Sequence, residues 1–122
     1  MPLANKRRIL YVDHNEDALL MITALFTQQG YEVITANNSL AALAIACQSP
    51  PDLYILDVHM PVMDGQTLAR KIREVDTQTP IIFYSGAALE SVKEMALQVG
   101  GNTFIPKPYI GKLIEIVTGF LE

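Results

Sequence analysis

A single cysteine, Cys47, rules out an internal disulfide, and its place in an Ala/Leu/Ile-rich helical segment predicts a buried thiol without a chemical role. Long apolar runs are missing too. The longest nearly apolar stretch, Leu40 to Cys47, falls far short of the roughly 20 residues of a membrane-spanning helix. Basic residues at Lys6, Arg7 and Arg8 precede an apolar run that Asp13 interrupts, so the hydrophobic region of a signal peptide is absent. The expectation is a cytoplasmic protein with no membrane contact. Positive charge is also scarce: a net charge of −4, with no basic cluster beyond the amino terminus, gives no electrostatic footprint for nucleic acid.

What is present suits one compact domain over residues 1–122, since 50% of the chain is apolar and only 18% charged. Apolar runs at Ile9–Val12, Tyr31–Thr35, Leu53–Leu56, Ile81–Tyr84 and Thr103–Ile105 predict five short strands. Segments of helical spacing separate them. The first is Glu16 to Gln29, with Asn15 as cap, Ala18, Ile22, Leu25 and Phe26 on one face, and Gly30 as the stop. The others are Ser39–Gln48 after Asn38, Gln66–Val75, Leu89–Val99 and Ile110–Leu121. Strict alternation of strand and helix predicts an α/β fold, a five-stranded parallel sheet flanked by five helices. The flavodoxin-like order 2-1-3-4-5 suits this pattern, and its ligand crevice lies at the carboxyl ends of strands 1 and 3.

The predicted strand ends bring polar groups to that crevice: Asp13 and His14 after the first, Asp57 and His59 after the third, Ser85 after the fourth, Lys107 after the fifth. A lone Asp at a strand end is ordinarily a cap or turn former. Two carboxylates, a hydroxyl and an ammonium on four strand ends of one crevice call for a chemical reading. A carboxylate can attack phosphorus and form an aspartyl phosphate, provided a divalent cation, an ammonium and a hydroxyl offset the incoming charge. Asp57, on the central strand, is the best-placed nucleophile, and Asp13 would help hold a metal.

These residues resemble the receiver domain of two-component response regulators, of the CheY-like type. The resemblance covers nearly the whole chain and rests on Ile9-Leu10-Tyr11-Val12-Asp13, on Leu56-Asp57-Val58-His59-Met60-Pro61-Val62-Met63-Asp64-Gly65, on Ser85-Gly86 and on Lys107-Pro108. It implies that Asp57 is the phosphoacceptor, that Ser85 and Lys107 bind phosphoryl oxygens, and that Asp13, Asp57 and the His59 backbone carbonyl hold magnesium. It further implies a cis Lys107–Pro108 bond and a switch in which Ser85 and the aromatic Phe104 move together. The implied partners are a histidine kinase or phosphotransfer protein as donor, and a target protein or an output domain outside this chain. The chain would be a phosphoacceptor that promotes its own phosphotransfer and dephosphorylation, and not an enzyme in the turnover sense.

One position departs from the pattern. The family usually has a second acid after strand 1, a direct metal ligand, and here it is His14. Imidazole is a poor substitute for a hard oxygen, so a weakened magnesium site is expected, with manganese or another divalent ion as the alternative. Whether His14 is itself a ligand stays open against an exposed loop side chain. The competing function is a degenerate receiver, a phosphorylation-independent interaction module. A flavin protein conflicts with the acidic loop His14-Asn15-Glu16-Asp17, and a phosphatase with His59 where a second acid would stand.

Overall fold

The computed structural model describes residues 6–86 and 89–122, with the backbone alone for 89–92; residues 1–5 of the expected domain lie outside the described residues. Five strands, β1 (Arg8–Val12), β2 (Glu32–Ala36), β3 (Leu53–Leu56), β4 (Ile81–Ser85) and β5 (Thr103–Pro106), alternate with five helices, α1 (Glu16–Gln28), α2 (Ser39–Gln48), α3 (Gly65–Val75), α4 (Leu89–Gln98) and α5 (Ile110–Leu121). All strand pairs are parallel, in the order β2-β1-β3-β4-β5. The expected fold class is therefore observed.

Alternation along the strands builds two cores. Leu10, Val12, Tyr54, Leu56, Ile81 and Phe83 pack on one sheet face with Ala42 and Ala46 of α2 and Leu68, Ala69 and Ile72 of α3. Ile9, Tyr11, Leu53, Ile55, Ile82 and Tyr84 pack on the other with Ile22 and Phe26 of α1 and Leu113, Val117 and Leu121 of α5. Burial on both faces explains why β1, β3 and β4 read as continuous apolar runs. The expected caps are in place: the Asn15 side chain accepts from the Ala18 N–H at 3.0 Å, and that of Asn38 from the Ala41 N–H at 2.8 Å. Among the described residues no helix is long and apolar enough to cross a membrane.

Two expectations need correction. Strand β2 starts one residue later than its apolar run, because the Tyr31 N–H bonds the Phe26 carbonyl at 3.0 Å and closes the turn after α1. Cys47 is exposed, not buried. Helix α2 is apolar around most of its circumference, yet it buries only Ser39, Ala42 and Ala46, and Cys47 follows the last of these round the helix into solvent.

Between β3 and α3, Val62 is 99% exposed with φ of 70°. A β-branched residue in the left-handed region is strained, whereas Asn tolerates it. Val62→Asn should therefore stabilise the fold by about 1 kcal/mol, read as a rise in urea midpoint at unchanged slope.

Candidate functional site

The strand register fixes the site. Val12 pairs with Leu56, so Asp13 and Asp57 leave adjacent strands side by side, while Ser85 lies opposite Pro106 at the neighbouring ends of β4 and β5. Asp13, Asp57 and Ser85 are all buried, at 0%, 4% and 1% exposure. Buried carboxylates need partners, and Asp13 has several. Its Oδ2 accepts from Lys107 Nζ at 2.6 Å and from the Tyr11 hydroxyl at 2.6 Å, and its Oδ1 from the Asn15 N–H at 3.0 Å. Lys107 also lies over the Tyr84 ring, 5.8 Å from its centre, within cation–π range.

Asp57 is differently placed. Its Oδ2 stands 3.9 Å from Lys107 Nζ and 3.6 Å from His14 Nδ1, longer than hydrogen-bond distances. The Ser85 Oγ is buried without a hydrogen-bond partner among the described residues. The two carboxyls accordingly move in opposite directions. Burial alone would raise Asp13, but its bonds from Lys107, Tyr11 and Asn15 outweigh burial and hold it below the ordinary carboxylate range. Burial pushes Asp57 up, the Asp13 charge adds to this, and the nearby Ser85 hydroxyl and Lys107 only partly offset it. Asp13 is thus the fixed anion of the pair, and Asp57 is the carboxylate whose oxygens accept no hydrogen bond among the described residues.

The structure brings Asp13, His14, Asp57, Ser85 and Lys107 to one crevice. One donor atom each from Asp13, His14 and Asp57 lie within 4.8 Å of one another, which fits the charge and reach of a divalent cation. At His14 the set departs from magnesium, which takes hard oxygens in a near-ideal octahedron. The His59 side chain is exposed and outside this group. Phe104 is buried in the core beside Phe83, its register partner on β4. The Lys107–Pro108 bond is cis. The sequence alone does not mark Tyr11: in a strand it reads as an apolar body, although its place two residues before Asp13 puts both side chains on one side of the chain.

The family model for the response regulator receiver domain matches residues 9–118. This chain belongs to that family. Among curated relatives, the receiver is 36% identical over 103 residues to the chemotaxis protein CheY of Bacillus subtilis, covering 84% of this chain and 86% of that protein. It is 33% identical over 102 residues to the regulatory protein AtoC of Escherichia coli, covering 84% of this chain and 22% of that protein. The chain spans less than half the length of several such relatives, among them the transcriptional regulatory protein PrrA of Mycobacterium tuberculosis, at 46%. Of solved structures, Vibrio cholerae CheY4 superposes with a TM-score of 0.90 at 28% identity, covering 96% of this chain and all of that one. The receiver domain of the sensor histidine kinase PA1611 from Pseudomonas aeruginosa, with magnesium coordinated in its active-site cleft, gives 0.86 at 28%, covering 95% and 98%.

Proposed function

We propose that this receiver takes a phosphoryl group on Asp57 from the phosphohistidine of a histidine kinase or phosphotransfer protein. The observation that carries this reading is a buried carboxylate, Asp57, that accepts no side-chain hydrogen bond from the described residues, beside a buried hydroxyl, Ser85, that has no partner among them. An Asp57 carboxylate oxygen attacks phosphorus, the phosphorus–nitrogen bond breaks, and the electron pair leaves with the donor imidazole. Asp13 and Asp57, with the His59 carbonyl, would hold a divalent cation, whose charge offsets that of the phosphoryl oxygens. Lys107 reaches those oxygens by leaving Asp13 Oδ2, and Tyr11 and the Asn15 N–H keep Asp13 paired when it does. Ser85 donates its otherwise unused hydroxyl to a second phosphoryl oxygen. The chain is then an acceptor that promotes its own transfer and hydrolysis, not a turnover catalyst.

Output follows from the sheet. Ser85 and Phe104 lie on adjacent strands, so movement of Ser85 toward a phosphoryl group shifts the packing of Phe104 and biases the surface of α4, β5 and α5 toward a target protein or an output domain outside this chain. The alternative, a receiver that works without phosphate, draws on His14 and on the Lys107–Asp13 pairing, which leaves Lys107 3.9 Å from Asp57. Incubation with phosphoramidate and divalent ions, followed by intact mass, separates the two: one phosphoryl adduct supports the acceptor, and none under any ion supports the alternative.

The Ser85 hydroxyl gives a sharper test. Burying an unpaired hydroxyl costs about 1–3 kcal/mol, so Ser85→Ala should fold at least as stably as the wild type, gaining up to about 1 kcal/mol. Loss of the donor should slow adduct formation by roughly tenfold to a hundredfold, within or below what one oxyanion donor contributes. Denaturation and timed mass spectra on the same preparation read both effects.

A further inference from the structure

The phosphoryl-transfer reading leaves His14 without a task. Its Nδ1 lies 3.8 Å from Asp13 Oδ1 and 3.6 Å from Asp57 Oδ2, too far for hydrogen bonds to either. The ring is about half exposed, with 51% of its side chain accessible, so little desolvation opposes its use as a ligand. Around a tetrahedral ion with bonds of about 2.1 Å, ligand atoms stand about 3.4 Å apart, so His14 needs to close on each carboxylate by only a few tenths of an ångström, and one donor atom from each of the three groups already lies within 4.8 Å of the others. A second feature of the crevice points to a ligand: the Ser85 hydroxyl, buried at the end of β4, has no partner among the described residues.

We propose that His14, Asp13 and Asp57 make this crevice a site for a nitrogen-accepting divalent transition ion, with zinc as the representative, in preference to magnesium. The inference rests on reading the crevice as the cation and phosphoryl site. Two features of the donor set drive the preference. Magnesium gains nothing from an imidazole and relies on hard, charged oxygens, yet one oxygen of Asp13 already accepts from Lys107 and Tyr11. Zinc accepts nitrogen and carboxylate oxygen together, and stands above manganese in general affinity for such sites. A second carboxylate at position 14 would add a hard oxygen and a charge, so His14→Asp should reverse the preference.

Zinc chloride titrated into the nitrogen-15-labelled protein should shift the His14 ring-nitrogen signals and leave those of His59 unmoved. His14→Ala should lower zinc affinity by calorimetry by no less than the roughly 10–100-fold that loss of even an outer-shell partner costs, with magnesium affinity nearly unchanged. His14→Asp should bind magnesium more tightly than the wild type. The inference is overturned if His14 signals stay still at saturating zinc, if His14→Ala binds zinc as the wild type does, or if the wild type and His14→Asp bind magnesium equally. Phosphoramidate labelling on the same samples separates the two readings. An adduct with an unresponsive His14 removes the ion preference alone, whereas zinc-dependent His14 shifts without any adduct remove the phosphoacceptor alone.

Discussion

Asp57→Ala is expected to take up no phosphoryl group from phosphoramidate under ionic conditions in which the wild type gains one, with intact mass as the measurement. Asp13, the other buried carboxylate of the crevice, has both oxygens occupied by Tyr11, Lys107 and the Asn15 N–H, so it does not stand in as a nucleophile. Equal labelling of both proteins would place the acceptor elsewhere. The isosteric Asp57→Asn should lose labelling too, and it adds a stability test with a defined sign. Burial and the Asp13 charge raise the folded-state value for Asp57 above that of the unfolded chain. As pH rises from about 3.9, the unfolded chain releases this proton first, so ionised Asp57 weakens the fold from there up through neutrality. Asp57→Asn should consequently melt at a higher temperature than the wild type at neutral pH, with the gain shrinking to nothing below the ordinary carboxyl range. Melting curves across pH read this directly.

How much of this was legible in the sequence depends on which physical signal each part leaves there. Strands β1, β3 and β4 were legible to within a residue because a parallel sheet covered on both faces writes an uninterrupted apolar run. The start of β2 was not, since Tyr31 is apolar and buried whether its N–H bonds a neighbouring strand or, as here, the end of α1. The exposure of Cys47 is not legible for a related reason: in α2 the apolar residues go round the helix, and periodicity does not then single out a buried face. In the crevice, Asp13, Asp57, Ser85 and Lys107 were legible as strand-end residues, because fold topology alone carries those ends to one place. Their pairing was not. That Lys107 bonds Asp13 and not Asp57, and that Tyr11 shares the same oxygen, depends on side-chain directions and competing charges that no local pattern records.

Gly65→Ala should be the most damaging single-methyl addition in the loop that carries the acceptor. Gly65 is the first residue of α3, after the Asp64 cap whose Oδ1 accepts from the Thr67 N–H at 2.8 Å, and its own N–H bonds the Val58 carbonyl at 2.8 Å. Those bonds draw the start of α3 against the end of β3. A Cβ at Gly65 would lie 2.0 Å from the Asp57 carbonyl oxygen, 2.9 Å from its carbon and 3.0 Å from Val58 Cα. Every one of these is backbone, so no side chain can turn away, and either α3 or the acceptor strand must shift. Overpacking of this kind costs about 3 kcal/mol or more, and here the displaced backbone belongs to Asp57 itself. The folded fraction should therefore also label more slowly, by timed mass spectra corrected for unfolded protein. The requirement at Gly65 is for space and not for a backbone angle, since its φ is not among the positive values found at Gly30 and Gly100. Gly119→Ala supplies the contrast. A Cβ there meets nothing within 4 Å inside α5, and alanine favours a helix interior over glycine by about 1 kcal/mol, so the same substitution should raise the urea midpoint there and lower it at Gly65. Equal effects at the two positions would mean that helix propensity, and not the contact with Asp57, governs Gly65.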